Sequence, residues 1–292
     1  MTLASPCTGI CRLDPVTSWC QGCGRGGDEI VDWGTQPAAW RARVWDEIPA
    51  RLQQMGVACR RLPWTSDETR DFVRSALKQG SGTWVMGVVG AVAEFTAAPG
   101  ESVNMWETGD TLRATTKNGA VAMTLDDGVR ALTFDPPDGD TPPRIVLAVK
   151  RERGRLPVAK TLADLGPDTD ALLSDGDGQL FDLGLGRREA RFCVRAARGN
   201  AGAALRSAVG MPFAAALAKI GGPLLRDSPP RVVETALGRM EVTGAIPPPG
   251  GQSPAGPHTH LLPDHLATGR AMPPGMDLPR SYLPGAIYYP PS

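Results

Sequence analysis

Apolar side chains along the first quarter of the chain recur at helical spacing. Asp28 to Trp33 predicts one short helix, with acidic residues at its start where the helix dipole favours them, and Gly34 ends it. Trp40, Val44 and Ile48 repeat every four residues, which puts them on one stripe of a second helix. Thr35 is placed to cap that helix, Pro37 fits its first turn, and Pro49 is expected to interrupt it. Thr65 and Glu68 form a capping box ahead of a third helix, whose apolar face is Phe72, Val73, Ala76 and Leu77.

From Thr83 the pattern changes. TWVMGVVGAVAEFTA, Thr83 to Ala97, carries Trp, Val and Phe around Gly87 and Gly90 and reads as a strand or strand pair. Further strands are expected at Ser102–Glu107, Thr111–Thr116, Ala120–Leu125, Val129–Phe134 and Arg144–Lys150. Asn118-Gly119 and Asp127-Gly128 between them predict hairpin turns, so the stretch reads as an antiparallel meander with a loop at Asp135–Pro143. A short helix is expected at Pro157–Leu165, a strand at Ala190–Ala197, and one Ala-rich helix at Gly202–Ile220 with Leu205, Val209, Ala216 and Ile220 on one face. Arg231–Ala236 and Arg239–Ala245 predict a closing hairpin around Leu237-Gly238. Beyond Ala245 a Pro/Gly-rich tail holds all three histidines and all three tyrosines, so it is expected to be ordered across the domain surface, without regular structure. The pattern divides the chain into residues 1–56, an α+β domain at 62–246 and a tail at 247–292, and the fold class is α+β.

Composition narrows the function classes. Lys+Arg and Asp+Glu balance at 31 each, which argues against a general nucleic-acid binder. No apolar run reaches the length of a membrane span, and MTLASPC has neither a basic start nor a hydrophobic segment, so a cytoplasmic protein is expected.

The strongest chemical signal is Cys7, Cys11, Cys20 and Cys23 in a C-x3-C, C-x2-C arrangement. Four thiolates suit one tetrahedral ion. In CQGCG, Gly22 and Gly24 permit the tight turn that aims backbone N–H groups at sulfur, and Asp14-Pro15 turns the chain back between the pairs. Arg12 and Arg25 are placed to offset the negative site, and Trp33, Trp40 and Trp45 to pack over it. Zinc and an iron–sulfur cluster both fit, one centre per chain; two disulfides are the rival reading, disfavoured by a reducing compartment. Cys59 and Cys193 stand alone as small core or surface residues. SPCTGICRLDPVTSWCQGCGR, followed by DEIVDW and IPARL, resembles a short bacterial Cys-rich family of unknown function commonly labelled predicted iron–sulfur proteins. The resemblance implies a metal site at these cysteines and no reaction.

A second candidate is His258-Thr259-His260. Residues two apart on an extended chain face the same way, so the two imidazoles can share an ion, with Asp264 or His265 as third ligand. Glu94, at the end of an apolar strand, is a possible distant partner. The competing readings are imidazoles that pin the tail to loop carbonyls, and a Glu94 facing solvent. SDGDG begins like a calcium loop but lacks the downstream acidic residue, and GAALRSAVGMPF lacks a phosphate-loop lysine. TWVMGVVGAVAEF, the middle strands and GPHTHLLP together resemble a second bacterial family of unknown function, which implies a compact α+β domain and no catalytic residue. The function expected is therefore a metal-binding, two-module protein in an interaction, scaffold or redox-sensing role, with an unidentified protein partner. The alternatives are a metal-dependent hydrolytic enzyme using the His258/His260 region and an iron–sulfur electron carrier.

Overall fold

A computed structural model describes residues 4–135, 142–153, 156–173, 178–187, 190–197 and 199–291. The N-terminal unit is a thiol-bearing loop followed by helices α1 (Gly27–Asp32) and α2 (Ala38–Gln54). Helix α2 starts after Pro37 and runs through Pro49 without a break, held by Val44, Trp45, Ile48 and Leu52 on its buried stripe. Trp33 packs edge-on to Trp40, at 6.0 Å between ring centroids.

Strand β1 (Cys59–Arg61) already belongs to the larger unit, and α3 (Ser66–Gln79) follows. The expected capping box is present: Glu68 N–H donates to Thr65 Oγ1 at 3.2 Å, and Thr65 N–H to the Glu68 carboxylate at 2.8 Å. Strands β2 (Thr83–Val88), β3 (Ala91–Phe95), β4 (Asn104–Thr108), β5 (Thr111–Thr116), β6 (Gly119–Thr124), β7 (Val129–Phe134) and β8 (Arg144–Lys150) match the expected runs closely. They do not form one meander. β4, β5 and β6 lie in one sheet, while β2, β3, β7 and β8 lie in another. Asp127-Gly128 is therefore a crossing between layers, and Asp126 Oδ1 accepts the Gly128 N–H at 2.8 Å to hold it.

Next come β9 (Ala163–Pro167), β10 (Gln179–Asp182), β11 (Ala190–Ala196), α4 (Asn200–Ala208), α5 (Phe213–Asp227), β12 (Arg231–Thr235) and β13 (Gly238–Val242). The helix expected at Pro157–Leu165 is absent. Its polar backbone finds distant partners instead, with Ala159 N–H on Asp182 at 3.2 Å and Leu162 N–H on the Met211 carbonyl at 2.8 Å. The single Ala-rich helix is two. Gly210, at φ +86°, and Pro212 break it, and Val209 is left exposed. The calcium-like stretch and most of the expected Asp135–Pro143 loop lie outside the described residues.

The tail departs most from expectation. It is irregular over 243–257 and 268–281, yet it also forms β14 (His258–Leu261), α6 (Pro263–Ala267) and β15 (Tyr282–Tyr289). Strand β15 lies between β8 and β2, inside a sheet of order β1-β7-β8-β15-β2-β3-β14. A register shift between Pro284 and Ala286 lets the proline sit in that central position. The facing sheet has the order β4-β5-β6-β13-β12-β11-β10-β9, and both sheets are antiparallel throughout. Trp84, Met86 and Phe95 from one sheet and Phe192, Val233 and Met240 from the other share a continuous core with α3, α4 and α5. The class is α+β. No helix among the described residues is long and apolar enough to cross a membrane.

Candidate metal centre

Successive strand residues point to opposite faces, so β2 and β3 sort their side chains. Trp84, Met86, Ala93 and Phe95 turn into the core, while Val85, Val92 and Glu94 turn outward. Strand β14 pairs with β3 in a register that sets His258 opposite Glu94 and His260 opposite Val92. His258 is thus the direct cross-strand neighbour of Glu94 on the outward face, and His260 its diagonal neighbour. Leu262 N–H donates to the Gly90 carbonyl at 2.7 Å just beyond this pairing. Gly90, at φ +92°, allows that approach, since a Cβ there would stand 2.6 Å from the Leu266 nitrogen.

The three side chains converge. His258 Nε2 lies 3.4 Å from Glu94 Oε2, His260 Nε2 lies 3.2 Å from Glu94 Oε1, and the two Nε2 atoms are 3.0 Å apart. Around one tetrahedral zinc, ligands at about 2.0–2.1 Å stand about 3.3 Å from each other, close to these edges. His258 Nδ1 lies 2.9 Å from the Gly256 carbonyl. As the donor there, it leaves the Nε2 lone pair free and sets the ring orientation, the usual support for a metal-bound imidazole. One nitrogen of His258 thus pins the loop, and the other faces Glu94.

Among the described residues, these three form the group of His, Cys, Asp or Glu side chains whose ligand atoms all lie within 4.8 Å of one another. Glu94 takes the place expected for Asp264 or His265. Those two sit on α6 and are exposed, although His265 reaches the rim of the adjoining cavity. Nearby, burial pushes the Tyr289 hydroxyl above its ordinary pKa, the Arg144 guanidinium pulls it back, and Glu94 adds to the rise.

The thiol loop has the expected turns. Asp14 Oδ1 accepts the Thr17 N–H at 2.8 Å, the Thr17 hydroxyl at 3.0 Å and the Val16 N–H at 3.1 Å, which holds its carboxyl below the usual range. Gly24, at φ +68°, donates to the Cys20 carbonyl at 2.7 Å and closes the CQGCG knuckle. The knuckle rests on α2 through Ile48 and Leu52. Cys20 and Cys23 are buried, Cys7 is half-buried and Cys11 is exposed. Cys20 donates to the Ile10 carbonyl at 3.0 Å, and Arg25 Nε donates to Cys23 Sγ at 3.4 Å. Burial pushes the Cys23 thiol up, opposed by Arg25. All six cysteines are free thiols, and the four of the loop do not meet the 4.8 Å grouping that Glu94, His258 and His260 meet. Of the remaining pair, Cys193 is buried and Cys59 half-buried.

Two family models match the chain. One, described as a family of unknown function, DUF6925, covers residues 68–292, and the other, a protein of unknown function, DUF1289, covers residues 5–52. No curated protein matches the chain. No solved structure matches it either.

Proposed function

We propose, for a chain that belongs to the DUF6925 family of unknown function, that its larger unit is a metalloprotein of hydrolytic type. Glu94, His258 and His260 hold one divalent cation, zinc by the character of the donors, and leave a coordination position open to the cavity beside them. The observation that carries this reading is the mutual approach of the two Nε2 atoms and the Glu94 carboxylate. Two imidazoles and one carboxylate with a free fourth position are the donor set of a catalytic rather than a structural zinc site. Such an ion polarises a carbonyl and lowers the pKa of bound water. The test uses the dialysed full chain. Zinc is expected to add one equivalent that His258→Ala and His260→Ala remove, and to switch on hydrolysis of 4-nitrophenyl acetate. Unchanged zinc uptake in both variants contradicts the site. Zinc uptake without hydrolysis contradicts the catalytic part alone.

A second reading concerns the N-terminal unit. Leu13, Val16 and Val31 are exposed apolar side chains on or beside the thiol loop, with Val16 at 89% and Val31 at 80% exposure. They favour an interaction module, stabilised by zinc or an iron–sulfur cluster on Cys7, Cys11, Cys20 and Cys23, serving a scaffold or redox-sensing role in the cytoplasm. Full-length protein purified without oxygen is expected to carry one zinc or iron centre that Cys20→Ser removes. Metal-free protein with a normally folded N-terminal unit contradicts this reading, and a brown colour selects iron.

A further inference from the structure

The outward face of the first sheet is covered unevenly. Toward β7 and β8, Leu132, Phe134, Val146 and Ala148 lie under Met272 and Met276 of the tail. Toward β3 and β14 the cover stops short, and a cavity of about 510 Å³ opens between the sheet and the segment around Met272–Pro274. That size falls within the range of small-molecule sites, about 300–1,000 Å³. Its floor is Val85, Val92 and Ile287, its roof Met272 and Pro273, and Glu94 and His260 stand at one end. No Arg or Lys lines it among the described residues. His265 stands at the rim and Arg144 lies behind the Tyr289 ring, 5.3 Å from its centroid, so within the cavity the metal proposed at Glu94, His258 and His260 is the positive charge that an anionic head group meets.

We infer that this cavity binds a small carboxylate, or an ester or amide of one, with an apolar body. The carboxylate or carbonyl oxygen takes the open position on the cation, and the hydrocarbon lies along Val85, Val92, Ile287 and Met272. An alkylammonium, the form of an amine at neutral pH, is disfavoured because the cation already fills the polar end and the protonated nitrogen has no lone pair to give it. An alcohol of equal length keeps the apolar contacts and loses the charge. The inference rests on the metal reading above and adds the class of ligand to it.

Calorimetric titration of the zinc-loaded full chain with hexanoate, hexylamine and 1-hexanol tests it. Hexanoate is expected to bind at one equivalent, at least tenfold more tightly than either of the others, and at least tenfold more weakly after zinc is chelated. Val85→Trp fills the floor and is expected to abolish hexanoate binding while zinc stoichiometry is kept. Val85→Met, a gentler filling, is expected to weaken it severalfold and serves should the tryptophan disturb folding. Equal binding of the three probes, or hexanoate binding unmoved by both substitutions at full zinc content, overturns the inference and leaves the metal site standing. A wild-type chain that takes up no zinc at this site overturns both.

Discussion

Each sheet carries one polar cluster on the face turned away from the shared core, and the two clusters follow opposite rules. On the second sheet, Arg191, Arg195 and Arg239 meet Asp168, Glu234 and Glu241. Arg195 reaches Glu241 at 2.9 Å and Asp168 at 3.1 Å, and Arg239 reaches Glu241 at 2.7 Å and Glu234 at 2.9 Å. Arg191 pairs with Glu234, and Arg239 also with Asp168. Main-chain N–H groups of Leu172 and Leu173 take further lone pairs of Glu241, at 2.8 and 3.2 Å. Burial pulls the Arg239 guanidinium down, but Glu241, Asp168 and Glu234 outweigh it and hold it above its ordinary value. Among the described residues three cations meet three anions, and each of these charges has an opposite charge beside it. On the first sheet, Glu94, His258 and His260 converge, and among the described residues no Arg or Lys forms a salt bridge with Glu94. A polar cluster paired within itself holds a fold together; the cation proposed at Glu94, His258 and His260 would supply the charge that no Arg or Lys brings there.

The comparison breaks if the clusters respond alike to mutation. Glu241→Gln should cost about 3–5 kcal/mol of stability, because it removes the buried carboxylate that Arg195 and Arg239 share and leaves their charges undercompensated, and should lower the urea midpoint while the folded protein keeps its zinc affinity. Glu94→Gln should do the reverse. Loss of an outer-shell partner already weakens metal sites about 10–100-fold, so loss of a ligand should weaken zinc at least about a hundredfold. Its effect on stability without metal should stay within about 0.5 kcal/mol. The smallest effect is expected at Glu29, which bonds Arg51 at 2.6 Å and accepts the Gly26 N–H at 2.8 Å. Burial pushes this carboxyl up, yet Arg51 and the Gly26 N–H outweigh it and lower its pKa. A carboxyl lowered on folding stabilises above its unfolded pKa, and that contribution fades as pH falls through the folded value. Glu29→Gln should therefore cost up to about 1 kcal/mol at neutral pH, measured as a lowered melting temperature of the N-terminal unit, with the difference disappearing in acid.

Legibility followed locality. The capping box at Thr65 and Glu68 and the runs at Thr111–Thr116, Val129–Phe134 and Arg144–Lys150 depend on neighbours in sequence, and the structure contains them where the pattern put them. The sorting of strands into two sheets depends on distant pairing. Strand β15 was hidden because Pro284-Gly285 reads as a turn. A bulge tolerates the proline, and the glycine is required by the close approach of Leu237, whose Cβ would stand 2.5 Å from an added side-chain carbon. The pair His258 and His260 was visible through its spacing of two. Glu94 appeared only as a distant possibility, because it stands 164 positions before His258 in the chain, and the register of β14 on β3 brings them together.

The most direct measurement is zinc titration of the dialysed full chain beside its His258→Ala/His260→Ala double variant, followed by cobalt substitution. The account predicts that the variant binds one equivalent fewer, and that the lost cobalt spectrum is of nitrogen–oxygen type without thiolate charge transfer. Equal stoichiometry and affinity in the two proteins would contradict it.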